Sequence, residues 1–344
     1  MAVAKPVGGT HFPRNHAELL AWFPSDDECR DYLEWLRWPN GVVCPGCESA
    51  DGWRTREGLW SCAGCARKVS VTAGTIFDKT RLPLRTWFAA AWEITNQKTA
   101  GISAKGLQRA LELGSYQTAW TVLHKYRSAM VRPGRELLTG QVEVDETMVG
   151  GSRPGRPGRG ALGKVPVVVA VEVYQPRGFG RARLGVVPNA SGATLLAFLR
   201  DTVEPGSTVI TDGYVGYKNV AGAGYHHVPH NISAAGVQAH TLLPAVHRVA
   251  SLFKRSVLNA YQQYPKLHLQ AYCDEWVFRF NRRHSRSRGM LFFRLLELAV
   301  NADPLPYKDL VLSTRPRSVQ PTPPTRPGRP RTPPINAARR PWRT

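Results

Sequence analysis

The sequence predicts an α/β fold in which helices flank a mixed β-sheet, preceded by a small metal-stapled unit and a pair of helices. Three observations support this prediction. Two CxxC pairs stand near the N-terminus, helical patterns fill residues 84–130, and strand and helix patterns alternate after residue 141. We therefore divide the chain into a helical segment (1–40), the metal-stapled unit (41–75), the helical pair (81–132), the α/β domain (138–303) and a tail (304–344).

The N-terminal part carries short-range signals. Ser25 and Glu28 have the spacing of a capping box, which predicts the start of an amphipathic helix. Further on, fourteen residues separate two CxxC pairs, and "GWRTREGLWSC" between them predicts a hairpin around Gly58. A glycine beside a cysteine in each pair is expected to let the backbone turn toward one ion. Four thiolates suit a structural Zn²⁺, with the ligands Cys44, Cys47, Cys62 and Cys65.

Unpaired core cysteines are the alternative interpretation of these residues. We adopt that interpretation only for the isolated Cys29 and Cys273, which are expected to be buried and apolar.

Residues 84–130 predict three helices. Ser103 is a suitable N-cap for the second helix, Gly114 is expected to end it, and Ser115 is a suitable N-cap for the third. Two helices joined by a tight glycine turn are similar to a helix-turn-helix, and a plain helical linker is the alternative. The third helix carries three residues suited to DNA contact: Gln117, Lys125 and Arg127.

The α/β domain begins with an alternating strand that is expected to end at Asp145, before Gly150 and Gly151. "KVPVVVAVEVY" predicts a strand buried on both faces. "RARLGVVP" predicts a third strand, "SGATLLAFLRDTV" a helix, and "STVITDGY" a fourth strand that ends at Asp212. Three more helices are expected, over 245–258, 267–281 and about 288–301.

Two aspartates thus follow strands, at positions 145 and 212. Ligands of open α/β sheets gather at strand ends, and adjacent carboxylates repel unless a cation lies between them. Oxygen ligands suit Mg²⁺ or Mn²⁺. Each aspartate alone is more often a helix cap or a turn residue, so the metal interpretation depends on the two together.

The charge of the chain points to its partner. There are 46 Lys+Arg against 25 Asp+Glu, a net charge of +21, which favours a polyanionic partner, of which nucleic acid is the commonest. A membrane surface is the rival, but no amphipathic lysine-rich helix is evident. Residues 315–344 contain eight Arg, nine Pro and no acid, which predicts a disordered cationic tail.

No run of about 18 apolar residues occurs, and the first residues, "MAVAKPVGGTHF", contain no apolar signal core. We therefore expect no membrane partner and a cytoplasmic, nucleoid-associated location.

The order of the motifs resembles a known family. A four-cysteine unit and a helical pair precede "VEVDETMVGG", "VITDGYVGY", "HRVASLFKR" and "YCDEWVFRFNRR", as in the zinc-ribbon group of bacterial insertion-sequence transposases. The resemblance covers about residues 20 to 300. It implies a ribonuclease H-like domain with an Asp-Asp-Glu-type site, in which Asp145 and Asp212 are the first two metal ligands. The third acid of the family lies seven positions before a basic residue, which corresponds here to His247 before Lys254.

Helix geometry agrees with this match. His247 follows Asp212 by 35 positions, an interval typical of this class, and it falls beside Lys254 at the edge of an apolar helical stripe. Imidazole ligates Mn²⁺ more readily than Mg²⁺, so the histidine leaves activity in question. An incidental histidine is the alternative. Asp274 and Glu275 are the obvious substitute carboxylates, but they are expected to support the ligands from behind or to be structural.

The resemblance implies a DNA transposase that binds terminal inverted repeats, acts as an oligomer on element ends and target, and cleaves and joins strands with Mg²⁺ or Mn²⁺. The alternatives are a catalytically impaired DNA-binding relative and a nuclease acting on RNA–DNA hybrids. Tyr214, Tyr217 and Trp276 are expected in the core rather than stacked on bases. Basic residues near the site suit phosphate contact: Lys254, Arg255, Arg279, Arg282 and Arg283.

Overall fold

The computed structural model describes residues 11–97, 101–132, 134–150, 164–174, 178–230, 239–261, 266–285 and 287–312. Within them the chain forms two β-sheets with helices around both. Of the predicted tail (304–344), residues 313–344 lie outside the described residues, as does most of the glycine- and arginine-rich stretch that follows Gly150. The described first part of that tail forms a short helix at Tyr307–Leu312.

Among the described residues, one hydrophobic core is built mainly from six helices, five of them in the N-terminal part of the chain, with Phe278 packed among them. Local caps start several of them: Ser25 and Glu28 form the predicted capping box, and Ser103 and Ser115 accept hydrogen bonds from first-turn N–H groups. The six are α1 (His16–Trp22), α2 (Asp26–Arg37), α3 (Leu84–Asn96), α4 (Ala104–Ala110), α5 (Tyr116–Ala129) and α10 (Arg288–Asn301).

Two features of this core differ from the sequence-based expectation. Helix α4 ends at Ala110 rather than at Gly114, because Glu112 already adopts a left-handed conformation with φ 51°. Helix α10, which the sequence analysis assigned to the C-terminal domain, buries Phe292 and Leu296 among the N-terminal helices. The end of the chain therefore completes a core that its beginning starts.

The smaller sheet consists of β1 (Gly52–Arg54), β2 (Trp60–Cys62) and β3 (Lys68–Val69), antiparallel in that order. It contains the predicted hairpin, and Gly58 in its turn has φ 76°. The isolated Cys29 and Cys273 are fully buried elsewhere, as expected.

The larger sheet is mixed and has the strand order β6-β5-β4-β7-β8. The pairs β4–β5 and β5–β6 are antiparallel, whereas the pairs β4–β7 and β7–β8 are parallel. The strands are β4 (Gln141–Val149), β5 (Val165–Val173), β6 (Phe179–Val186), β7 (Thr208–Thr211) and β8 (His226–Pro229).

Helices cover both faces of this sheet. Alternate residues of β5 face opposite sides: Val167 and Val169 pack with α8 (Pro244–Tyr261) and α9 (Leu269–Phe280), whereas Val168 and Ala170 pack with α6 (Gly192–Thr202). The predicted double-faced burial of β5 is therefore confirmed. Two short helices, α7 (Ala239–Leu242) and α11 (Tyr307–Leu312), complete the described chain.

Strand β4 is longer than the sequence predicted. It does not end at Asp145 but continues to Val149, because every residue of this stretch pairs with β5 up to the contact between Val149 and Val165. Strand β8 was not predicted; its sequence, His-His-Val-Pro, lacks an apolar alternation, since it lies at the sheet edge with mainly exposed side chains.

At the opposite edge, α9 covers β6. Gln270 bonds both the N–H of Val186 (2.8 Å) and the carbonyl of Leu184 (3.2 Å), and Asn281 bonds the N–H and carbonyl of Ala182 at 2.8 and 3.1 Å. These amides satisfy backbone groups that a free edge strand would leave unpaired. The asparagine of the "FRFNRR" motif thus has a structural role.

Candidate functional site

The four predicted zinc ligands meet at one end of the small sheet. Their sulfur atoms all lie within 4.8 Å of one another. Cys44 and Cys62 are buried, whereas Cys47 and Cys65 are exposed. Hydrogen bonds from backbone N–H groups, that of Gly46 first, lower the pKa of the Cys44 thiol to about 6. A clustered, partly ionised thiol set fits a structural zinc ion.

The backbone turns around this site differ from the expectation. Among the described residues with positive φ are Glu48 (60°) and Ala66 (57°), each directly after the second cysteine of its pair, whereas Gly46 and Gly64 are not among them. The glycines serve close packing instead: a Cβ added at Gly64 would lie 3.4 Å from the sulfur of Cys47.

Asp145 and Asp212 come together through strand register. The parallel pairing of β4 with β7 matches Val142 with Val209 and Glu143 with Ile210. Continuing that register by two residues sets Asp145 beside Asp212, where β7 has just ended. Neighbouring strands lie about 4.8 Å apart, so the two aspartates occupy adjacent positions on the sheet.

Helix α8 brings the third predicted residue to the same place. The Nε2 atom of His247 lies 3.7 Å from Oδ2 of Asp145. The predicted apolar stripe of α8 is buried against the sheet, and this packing orients His247 and Lys254 toward the aspartate. Burial and the charge of Lys164 lower the pKa of Lys254, whereas the charge of Asp145 raises it. Two lysines therefore stand near the acidic group.

A buried tyrosine lies on the other face of the sheet, close to three of the acids of this region. Tyr217 is fully buried, in the core as expected. Burial raises its pKa, and so do the negative charges of three carboxylates: Glu146, Asp145 and Asp212. The backbone N–H of Tyr214 donates to Oδ1 of Asp212 at 3.0 Å, which orients that carboxylate after the strand end.

The separations allow a test of metal fit. Two metal–ligand bonds of about 2.1 Å span at most about 4.2 Å, so one ion can bridge Asp145 and His247. Among the described residues, the four cysteines form a group of candidate ligands whose donor atoms all lie within 4.8 Å of one another. Asp212 occupies the position next to Asp145 on the neighbouring strand, so the three residues offer carboxylate and imidazole donors at one place on the sheet.

Not all predicted DNA-contact residues lie at the surface. Arg127 and Arg279 are 2% and 6% exposed, and both pair with the buried Glu275, at 2.7 and 3.4 Å. A buried guanidinium has no surface to offer a phosphate. Arg127 instead joins α5 to α9, whereas Arg279 pairs with Glu275 within α9. Glu275 is structural, in agreement with the expectation for it.

The other predicted DNA-contact residues differ in their exposure and in their hydrogen bonds. Lys125 donates to the carbonyl of Ile76 at 2.9 Å, and Arg283 donates to the carbonyl of Gly180 at 3.1 Å. Arg282 is half-buried and donates to the carbonyl of Phe278 at 3.1 Å. Gln117 and Arg255 are exposed.

Sequence reasoning missed two residues near the site. Glu143 stands two positions before Asp145 and bonds the start of α8; its alternation with Asp145 on β4 was the available signal. Lys164 was not assigned a role, although it directly precedes the buried β5.

The chain matches two known domain families. Residues 137–281 match the ISXO2-like transposase domain, and residues 24–68 match the transposase zinc-ribbon domain. A protein of the transposable element ISH50 from Halobacterium salinarum is 28% identical over 215 residues, which cover 57% of this chain and 70% of that protein. A transposase-like protein from Haemophilus influenzae is 30% identical over 112 residues, covering 33% of this chain and 90% of that protein.

The mixed sheet, the acidic cluster and the four-cysteine ribbon together with these matches define a class, the transposases with a zinc-ribbon domain. Within that class, the chain belongs to the ISXO2-like transposase family. No helix among the described residues has both the length and the apolar character needed to cross a membrane.

Proposed function

We propose that this protein is an insertion-sequence transposase that binds the terminal inverted repeats of its element and cuts and joins DNA strands with Mg²⁺ or Mn²⁺. One observation carries the catalytic part. Asp145 and His247, far apart along the chain, lie 3.7 Å apart, beside the strand end from which Asp212 leaves. The strand order and directions of the larger sheet agree with a ribonuclease H-like domain.

Asp145, Asp212 and His247 are the proposed ligands of two divalent ions. Bound ions would activate an attacking water or 3′-hydroxyl and stabilise the leaving oxygen. The protein's own part is to fix the ligands: β4 and β7 hold the aspartates, and α8 holds the imidazole. Lys254 and Lys164 are suited to bind the DNA phosphates that enter this acidic site.

DNA binding is assigned to two regions. The zinc ribbon is one, and the helix-turn-helix-like pair α4–α5 is the other, with the exposed first turn of α5, including Gln117, as the part that faces bases. Arg255 and Arg282 are retained as phosphate contacts near the site. Arg127 and Arg279 are not, because both are buried. Joining two element ends requires at least two protomers, so a homo-oligomer on DNA is part of this proposal.

The test is strand transfer by purified protein on a duplex that carries an element end. Asp145→Ala and Asp212→Ala are expected to abolish cleavage and joining in Mg²⁺ and in Mn²⁺ while leaving end binding unchanged. Full activity in either variant would exclude the site.

A second candidate function is DNA binding without catalysis, and the observation that favours it is His247 in place of a carboxylate. Cleavage by the wild type in Mn²⁺ that disappears in His247→Ala would reject this candidate. No cleavage with either ion, combined with specific end binding, would favour it. Competition between an RNA–DNA hybrid and DNA in the same assay tests the third possibility, a hybrid-cleaving nuclease.

A further inference from the structure

A buried carboxylate lies next to the proposed metal ligands without belonging to them. Glu143 stands two residues before Asp145 on β4, so both side chains leave the same face of the strand. The residue is only 4% exposed. Its Oε2 atom accepts a hydrogen bond from the backbone N–H of Val246 at 2.9 Å, and the N–H of Ala245 bonds the same carboxylate.

These two N–H groups are the ones that the start of α8 leaves unpaired. The helix begins at Pro244, which has no N–H, and the N–H of His247 already bonds the carbonyl of Leu243 at 3.3 Å. Ala245 and Val246 therefore hold the orphan donors of the first turn. Leu243, at the N-cap position, has a hydrocarbon side chain that accepts no hydrogen bond. The cap of α8 comes from a distant strand.

This cap determines where the next residue of the helix lies. The apolar stripe of α8 packs on valines of the sheet, and such packing is non-directional, so it tolerates a shift of the helix along the surface. Hydrogen bonds have narrow geometry. Because Glu143 bonds both N–H groups just before His247, it fixes the helix start relative to β4. The separation of His247 from Asp145 follows from that contact.

We propose that Glu143 is a positioning residue that caps α8 from β4 and thereby sets the geometry in which His247 and Asp145 bind a divalent ion. The inference deepens the proposed function and rests on it for the role of the ion. The contact between Glu143 and α8 itself is independent of any activity.

The chain offers a matched control. Glu172 is also a buried carboxylate of the same sheet, 3% exposed, on the neighbouring β5. It bonds the guanidinium of Arg181 at 2.6 Å and the N–H of Thr139 at 3.1 Å, and so serves a different part of the fold. Loss of Glu172 is expected to lower stability without disturbing α8.

The first experiment measures the Mn²⁺ dissociation constant of the full chain from the electron paramagnetic resonance signal of free Mn²⁺. Glu143→Ala is expected to weaken Mn²⁺ binding about 10- to 100-fold, the usual effect of removing a residue that supports metal ligands. Glu143→Gln keeps an acceptor oxygen but loses the charge at the helix N-terminus, so about a two- to fivefold loss is expected. Glu172→Ala should bind Mn²⁺ as the wild type does, at a temperature at which circular dichroism shows all variants folded.

The second experiment needs no metal. Amide hydrogen exchange across residues 243–250 is compared among the same proteins without added divalent ions. Protection of the first turn of α8 should be lost in Glu143→Ala, largely kept in Glu143→Gln and unchanged in Glu172→Ala. Should Glu143→Ala not fold, Glu143→Asp replaces it, because one methylene less draws the carboxylate away from the helix.

Mn²⁺ binding tests the proposed function, and hydrogen exchange tests the role of Glu143 by itself. A wild type that binds no Mn²⁺ would count against the proposed function, and the exchange pattern would then decide the role of Glu143 alone. The inference is overturned if Glu143→Ala keeps protection at the start of α8. It is equally overturned if Glu172→Ala weakens Mn²⁺ binding or exposes this turn as much as Glu143→Ala does.

Discussion

The two candidate metal sites of this protein are built in opposite ways. The four cysteines lie within 22 residues of one another, from 44 to 65, and two short turns bring their sulfur atoms within 4.8 Å. Asp145 lies on β4, Asp212 directly follows β7 and His247 lies on α8, so these three residues are far apart along the chain. A site made by local turns is therefore formed by its own segment, whereas the acidic site depends on contacts throughout the domain.

The largest expected effect comes from breaking the local site. Cys62→Ser removes a buried thiolate ligand, and structural zinc contributes about 10–16 kcal/mol to the folding of small zinc peptides, so the ribbon is expected to lose its ion and unfold. The check is zinc content by mass spectrometry together with hydrogen exchange across residues 41–75. Cys273→Ala, which removes a buried thiol outside the cluster, should keep one zinc ion per chain. Full zinc content in Cys62→Ser would contradict the assignment.

A non-local contact supplies the second effect. Arg127 on α5 pairs with Glu275 on α9, and both are almost fully buried. Arg127→Ala leaves Glu275 with one partner fewer in the interior and is expected to cost about 3–5 kcal/mol in the free energy of unfolding. Urea denaturation of Arg127→Ala and of the wild type measures this difference in the free energy of unfolding.

The exposed pair Arg14–Glu18 is the comparison for this change. Arg14 is 79% exposed, and Arg14→Ala should change the free energy of unfolding by less than about 1 kcal/mol. Equal losses in Arg14→Ala and Arg127→Ala would show that burial of the second pair does not matter.

Burial in the same region predicts a pH dependence. Burial, with the charges of Arg127 and His268, lowers the pKa of His124 to about 2. The unfolded chain binds a proton near pH 6.5, whereas the folded chain does not, so stability is present above pH 6.5 and falls as the pH decreases. From pH 6.5 to pH 5 the loss is about 2 kcal/mol.

His124→Phe keeps the ring and removes this titration. Urea denaturation of both proteins at pH 6.5, 5.75 and 5 is the measurement, and the difference between their slopes isolates His124 from carboxylates that titrate at lower pH. Identical slopes would mean that His124 is protonated in the folded protein.

The smallest effect concerns a local helix cap. Ser25→Ala removes the side chain that accepts the N–H of Asp27 at the start of α2 and should cost about 1 kcal/mol. Thermal unfolding is the measurement. Ser251→Ala, at an exposed position inside α8, should stay within about 0.5 kcal/mol of the wild type. A neutral Ser25→Ala would indicate that packing alone starts α2.

What the sequence could predict follows the same division. The zinc ligands, the hairpin at Gly58, the cap at Ser25 and the buried β5 depend on neighbours within a few residues, and all were predicted. The length of β4, the strand β8 and the placement of α10 depend on pairing or packing partners distant in sequence, and these were missed or misplaced. The aspartates were predicted to follow strand ends, yet Asp145 lies within its strand and only Asp212 follows one.

Arginine positions illustrate why the rest was out of reach. Charge and motif suggested that Arg127 and Arg279 contact DNA, but composition does not report burial. Only the fold reveals Glu275 between them. In the same way, the absence of a capping side chain before Pro244 could be noticed in the sequence, while its replacement by Glu143 could not.

The packing of α10 among the N-terminal helices has a consequence for folding during synthesis. Domains usually fold in order as they leave the ribosome, N-terminal units first. Here the helices made first lack Phe292 and Leu296 until the residues of the whole α/β sheet have been translated. The zinc ribbon can close early around its ion, but the helical body must wait with exposed apolar surface, so a prematurely terminated chain is expected to be a substrate for chaperones and proteases.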